Sequence, residues 1–221
     1  MTAKKITQKN VVSREQVISS YMQQVLEQES VPLSVYKFCK ENGYKESEFY
    51  AFFGSFDGLK EAIWNSFFDQ AMELAHKNEE YDNFSNQEKM LTFFFTFFEL
   101  LTANRSYVLF SLGEQKDWMK RMTQLQGLRK RIKSFAATLI EEKNEEKQIK
   151  ILKHPVSVFS EGAWLQTLFI LKYWKEDNSP SFEKTDVVIE KSVRAIFDVF
   201  ETTPLESLLD FGKFLWKEKM N

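Results

Sequence analysis

The chain has 221 residues, 30 Lys and Arg against 32 Asp and Glu, and 43% hydrophobic residues, enough for one or two domains with a sizeable core and too apolar for extended disorder. A single Cys excludes an internal disulfide framework and a Cys-rich metal site, and a net charge of -2 removes the simple inference from a strongly basic chain to nucleic acid. Only 7 Gly and 4 Pro leave few turn residues, so the composition predicts an all-α protein of long helices and short connections.

Residues 1–12 read as a flexible, mildly basic arm carrying Lys4, Lys5 and Lys9. Ser13 followed by Gln16 is a capping-box pattern and opens a helix to about Gln28, with Val17, Tyr21 and Val25 at helical spacing. Pro32 starts a second helix, with Ser34, Val35, Phe38 and Cys39 before Gly43, and Gly43 fits a helix end with positive φ. A short third helix covers about Glu46–Phe52, and Gly54-Ser55 opens a longer one to about Lys77.

Glu79–Asn86 reads as an acidic linker. Asn86–Ala103 is apolar nearly all round and is expected at the centre of the core. A short helix over about Arg105–Leu112 precedes a long one over about Glu114–Glu142. Helices then follow at about Val156–Lys175, Phe182–Glu201 and Pro204–Lys219. The two greasiest stretches, Leu91–Leu101 and Ala163–Trp174, are shorter than the ~20 apolar residues a bilayer requires, and the polar N-terminus lacks a signal-peptide core. A cytoplasmic protein is the expectation, which makes the sequons at Asn83 and Asn104 chance matches.

Within the second, third and fourth helices, Phe38-Cys39 forms an apolar/small pair, Gly43 stands at the turn, Phe49-Tyr50 lies on the third helix, Phe53 follows, and Leu59 opens the fourth. In order and spacing these residues resemble the helix-turn-helix of the TetR family of transcriptional repressors. Two short helices at a sharp angle need a small residue at their turn, and Val35, Phe38, Phe49 and Phe53 can form a small core against the first helix. The resemblance implies a helix-turn-helix domain over residues 1–56 and a helical ligand-binding and dimerisation domain over residues 57–221. It implies double-stranded operator DNA as partner, contacted by Lys37, Tyr44, Lys45, Ser47 and Tyr50. Lys37 and Lys45 can equally be solvated surface lysines, and Tyr50 a framework residue with one edge near phosphate. Where the family usually carries a lysine at the start of the connecting helix, this chain has Phe56, and residues 1–64 hold eight basic and eight acidic side chains. Two recognition-helix positions are Glu46 and Glu48; a carboxylate accepts from cytosine but repels phosphate.

The 22 Phe residues read either as a Phe-biased core or as the lining of a cavity for an apolar, lipid-like ligand. Residues for such a lining are Phe94, Phe98, Trp118, Met122, Trp164 and Phe169, each of which also suits plain core. The resemblance implies a homodimer closed by the last helices, with Leu168, Leu171, Val193, Ile196, Phe197 and Phe200 as contacts. The run of basic residues within Lys116–Lys133 reads as a solvated face, and the terminal helix as a cap, a membrane-surface helix or a partner-docking element.

Nothing in the sequence supports catalysis, a cofactor or a metal. His76 and His154 are isolated, Cys39 reads as an inert core thiol, and no Gly-rich phosphate loop or nucleophile elbow occurs. Two functions remain: a dimeric regulator that binds DNA under control of an apolar ligand, or a TetR-fold protein that has lost DNA binding and serves as a lipid-binding or membrane-enzyme accessory protein.

Overall fold

The computed structural model describes residues 12–114, 122–145 and 156–202. Among them every regular element is helical: α1 (Arg14–Gln28), α2 (Val35–Asn42), α3 (Glu46–Tyr50), α4 (Phe56–His76), α5 (Asn86–Ala103), α6 (Arg105–Glu114), α7 (Gln126–Glu145), α8 (Val156–Glu176) and α9 (Glu183–Thr202). Short 3-10 turns lie at Tyr81–Asn83 and Pro180–Phe182. The all-α fold expected from composition is the one observed. The basic arm, Trp118 and the C-terminal helix expected at 204–219 lie outside the described residues.

Packing divides the chain into two compact units, Met1–Ile63 with Asn104–Gln124, and Trp64–Ala103 with Leu125–Asn221. In the first, local signals start and stop the helices. The Ser13 hydroxyl accepts from the Gln16 amide at 3.2 Å while the Ser13 amide donates to Gln16 Oε1 at 2.9 Å, a reciprocal box that satisfies two otherwise orphaned groups. Ser34 caps α2 through the Lys37 amide at 3.2 Å. Gly43 ends α2 at φ 73°, a conformation that penalises a Cβ, and the Tyr44 amide donates back to the Cys39 carbonyl at 2.8 Å.

The core of this unit is aromatic. Tyr21 on α1, Phe38 on α2 and Phe49 on α3 are each at most 1% exposed. Phe56 joins them, its ring centroid 5.5 Å from Tyr21, 5.8 Å from Phe38 and 5.6 Å from Phe49. Tyr107 of α6 closes the cluster edge-on to Tyr21 at 6.4 Å. Such pairs add to area burial by about 0.5–1.5 kcal/mol each.

The second unit is built around α5. Ser85 and Glu88 form a second capping box at its start, and Met90, Phe93, Phe94, Phe97, Phe98 and Leu101 are buried along one face. Phe93 meets Phe68 of α4 at 5.1 Å, Phe135 of α7 at 5.3 Å and Phe97 at 5.5 Å. The helix is central as the sequence predicts, but Leu91, Phe95 and Leu100 on its flanks are half-buried and Glu99 is exposed, so its burial is not all-round. α7 packs along α8, and α9 packs on both α5 and α8. The stretch read as an acidic linker holds a short turn whose Tyr81 is buried, with its ring 4.6 Å from that of His76.

One long helix over 114–142 is not what forms. Residues 122–124 are helical, Leu125 is a turn, and α7 begins at Gln126. The break has a local cause. The Gln124 amide group bonds Ser111 of α6 through both ends, Ser111 Oγ donating to its Oε1 at 3.1 Å and its Nε2 donating to the Ser111 carbonyl at 3.2 Å. That fixes 122–124 to the first unit, whereas Leu125 onward packs in the second.

Candidate functional site

α2 and α3 present the residues expected at DNA. Lys37, Lys45, Ser47 and Tyr50 are exposed, Tyr50 at 52% with its ring edge-on to Phe49. Lys37 lies 3.7 Å from Glu41 one turn along α2, a solvated pair of small energy. Lys45 is the N-cap of α3, and its amide donates to Glu48 Oε2 at 2.7 Å. Glu48 is therefore committed to capping its own helix. Glu46, also exposed, is the first helical residue of α3, and its carboxylate makes no hydrogen bond or ion pair among the described residues.

Tyr44 is placed differently from the other four. Its hydroxyl shares a 2.6 Å hydrogen bond with that of Ser20 on α1, and its ring stands edge-on to Phe38 at 6.2 Å. The side chain braces the turn against α1 rather than extending outward. A partner 24 residues away leaves no trace in local sequence pattern. Cys39 is buried, and burial, followed by the carboxylates of Glu46 and Glu48, pushes its thiol pKa up, so it is unreactive.

In the second unit Phe94, Phe98 and Trp164 are buried, at 0%, 3% and 6% exposure. Phe94 lies 5.3 Å from Phe93, and Phe98 5.6 Å from Phe97 and 6.3 Å from Trp174. Phe169 does not join them: it is 54% exposed on the outer face of α8. Met122 is half-buried and belongs to the first unit. Three of the six residues are thus buried in the second unit, and Trp118 lies outside the described residues.

The expected dimer contacts sit mostly inside the protomer. Leu171, Val193 and Phe197 are buried, with Phe197 edge-on to Phe159 at 5.6 Å, while Leu168 and Ile196 are half-buried. The Phe200 side chain lies outside what is described. The apolar residues that α8 and α9 expose are Leu165, Phe169, Val187 and Val199, at 63%, 54%, 47% and 42%. Leu165 and Phe169 are one turn apart, on a face offset by one residue from the expected one.

The basic run on α7 is tied down. Arg129 donates to both carboxylate oxygens of Glu161 at 2.9 and 3.0 Å, Lys133 bonds the same carboxylate, and Arg131 donates to Asp69 of α4 at 2.8 and 3.3 Å. Burial pushes the Glu161 pKa up, but hydrogen bonds from Lys133 and Arg129 outweigh it and the net shift is down. All of these side chains are 32–57% exposed, so the pairs lie on a solvated face and contribute little energy. Among the described residues no His, Cys, Asp and Glu cluster could hold a metal ion, and no helix is long and apolar enough to cross a membrane.

Residues 89–215, more than half of the chain, match the family model described as tetracyclin repressor-like, C-terminal domain. The chain belongs to the TetR family. The match covers the larger helical half, whereas the helix-turn-helix resemblance covers the N-terminal part, so the two are independent of each other. No curated protein and no solved structure matches the chain. TetR family members are regulators, and that general class is what membership establishes here.

Proposed function

We propose that this TetR-family protein is a homodimeric transcriptional regulator of the cytoplasm. Residues 1–56 read a double-stranded palindromic operator through Lys37, Lys45, Ser47 and Tyr50, with Tyr44 bracing the turn. Residues 57–221 dimerise and hold an apolar or lipid-like small molecule that changes the spacing of the two heads. The observation that carries this function is the intact helix-turn-helix framework: a Ser34-capped α2, a left-handed Gly43 and an α3 whose inner face is locked by Phe49 while its outer face stays open.

Dimerisation is supported by Leu165 and Phe169, exposed one turn apart on α8, which a two-fold axis can pair with their own copies. An apolar ligand is supported by the interior around α5, whose buried side chains are all Met, Phe or Leu and offer no countercharge.

The test is capture of fragmented genomic DNA from the source organism at low salt, followed by sequencing. Enrichment of one palindrome, lost as salt rises, is the expected result. Absence of retention at low salt would overturn DNA binding and favour an accessory role in lipid binding or beside a membrane enzyme. Two observations favour that second function: Phe56 fills the position where the family usually carries a lysine, and residues 12–64 hold five basic side chains against eight acidic ones.

A further inference from the structure

The second unit holds a polar atom that its packing leaves unmatched. Asn65 of α4 keeps its Oδ1 out of solvent, and no described residue donates to it. Phe68 and Asp69 follow one turn later, so the three residues share a face of α4. That face meets α7: the Phe68 ring lies 6.5 Å from that of Phe135, and Asp69 accepts from Arg131 at 2.8 Å. Phe68 also lies 5.1 Å from Phe93 of α5, which sets the Asn65 amide at the margin of the apolar interior.

The composition of that margin explains the missing donor. Phe68, Phe93 and Phe135 carry no polar hydrogen, and the side chains that α7 buries up to this level are Leu128, Ile132 and Ala136. The Arg131 guanidinium could donate, but Asp69 takes it through both carboxylate oxygens. The backbone amides within α4 and α7 serve their own helices. An amide oxygen sealed among apolar groups without a donor opposes folding, and an apolar side chain of similar size would remove the penalty. A ligand that brings its own donor would satisfy the atom, and so bind more tightly than an isomer without one.

Resting on the apolar-ligand part of the function proposed above, we propose that the small molecule carries a hydrogen-bond donor on its apolar body, a hydroxyl or an amide N–H, and that Asn65 Oδ1 receives it. Long-chain alcohols, phenols and fatty amides have this chemistry. Hydrocarbons, ethers and esters of the same size do not.

The test compares octanol with its isomer heptyl methyl ether, by isothermal titration calorimetry on the full chain, in wild type and Asn65→Leu. The probes have the same atoms and differ in the donor. Dividing the wild-type affinity ratio by that of the variant cancels their different hydration. The wild-type preference for octanol should exceed that of the variant by about 10-fold, the effect of one buried hydrogen bond. Without a probe, Asn65→Leu and the smaller Asn65→Val should melt at or above wild type, because each removes an unmatched acceptor. Equal ratios in wild type and Asn65→Leu would overturn the donor assignment while leaving an apolar ligand standing. Lower melting of both variants would show Oδ1 to be bonded within the fold, and would overturn the assignment as well. A wild-type chain that binds neither isomer up to its solubility would overturn the apolar-ligand reading and the role of Asn65 with it.

Discussion

Asp177 secures the corner between α8 and α9, and its removal tests whether that corner holds the proposed dimer face in shape. Its Oδ1 accepts from the Ser179 amide at 2.8 Å and hydroxyl at 2.7 Å, and its Oδ2 accepts from the Thr185 amide at 3.0 Å and hydroxyl at 2.7 Å. Between these anchors Ser181 and Phe182 both take positive φ, 52° and 60°, an unfavourable pair for residues with a Cβ. Asp177→Ala leaves the amide and hydroxyl donors of Thr185, which is 1% exposed, without their acceptor, at about 1–3 kcal/mol. That cost predicts a melting temperature lower by roughly 2–12 °C in thermal unfolding followed by circular dichroism.

The pH dependence of the same contacts has a definite sign. Burial pushes the Asp177 pKa up, but hydrogen bonds from Ser179 and Thr185 outweigh it and hold it at about 2, below the ordinary 3.8. A depressed folded-state pKa contributes stability that is fully present above 3.8 and lost as pH falls through about 2. The gap between wild type and Asp177→Ala should therefore be widest near neutral pH and narrow between those two values. A variant that melts with wild type near neutral pH, or a gap that widens on acidification, would refute the assignment.

Leu165→Glu/Phe169→Glu should dissociate the dimer. Each side chain is about half exposed, so completing its burial yields ~1 kcal/mol, and four copies across a two-fold axis give ~4 kcal/mol, or about a thousandfold in Kd; unchanged sedimentation velocity over a concentration series would exclude this face. Glu46→Gln should move the preferred base at one operator position from cytosine toward adenine, by about 1–3 kcal/mol of discrimination, in selection from a random duplex library; an unaltered motif would remove Glu46 from the reading face. Phe56→Lys should destabilise the helix-turn-helix by about 2–4 kcal/mol in chemical denaturation, because it takes a ring from the Tyr21, Phe38 and Phe49 cluster; wild-type stability would show the ring to be dispensable.

The elements were legible where the deciding interactions are local. Ser13 with Gln16 and Gly43 bond within five residues of themselves, so the start of α1 and the end of α2 follow from sequence, whereas α2 begins at Val35 behind its Ser34 cap and not at Pro32. α5 was legible as a central helix because it is so apolar, though its sequence did not show that one face is buried and the flanks half-buried. The same property hid the faces of α8. Leu165, Leu168, Phe169, Ile170 and Leu171 are all apolar, so periodicity cannot select the inner set, and the packing of α7 and α9 on α8 decides it. Long-range partners hid the rest. Arg131 finds Asp69 at a separation of 62 residues, Arg129 finds Glu161 at 32, and Tyr44 finds Ser20 at 24, so these partners leave no local pattern and a residue expected at DNA is a brace.

The head sets framework against charge, and Phe56 connects the two. A lysine at that position could extend its stem along the cluster and keep its ammonium in water near a phosphate. A phenyl ring cannot, and here it closes an aromatic core with Tyr21, Phe38 and Phe49. On the operator-binding function proposed above, Phe56 thus exchanges a backbone contact for packing among α1, α2 and α3.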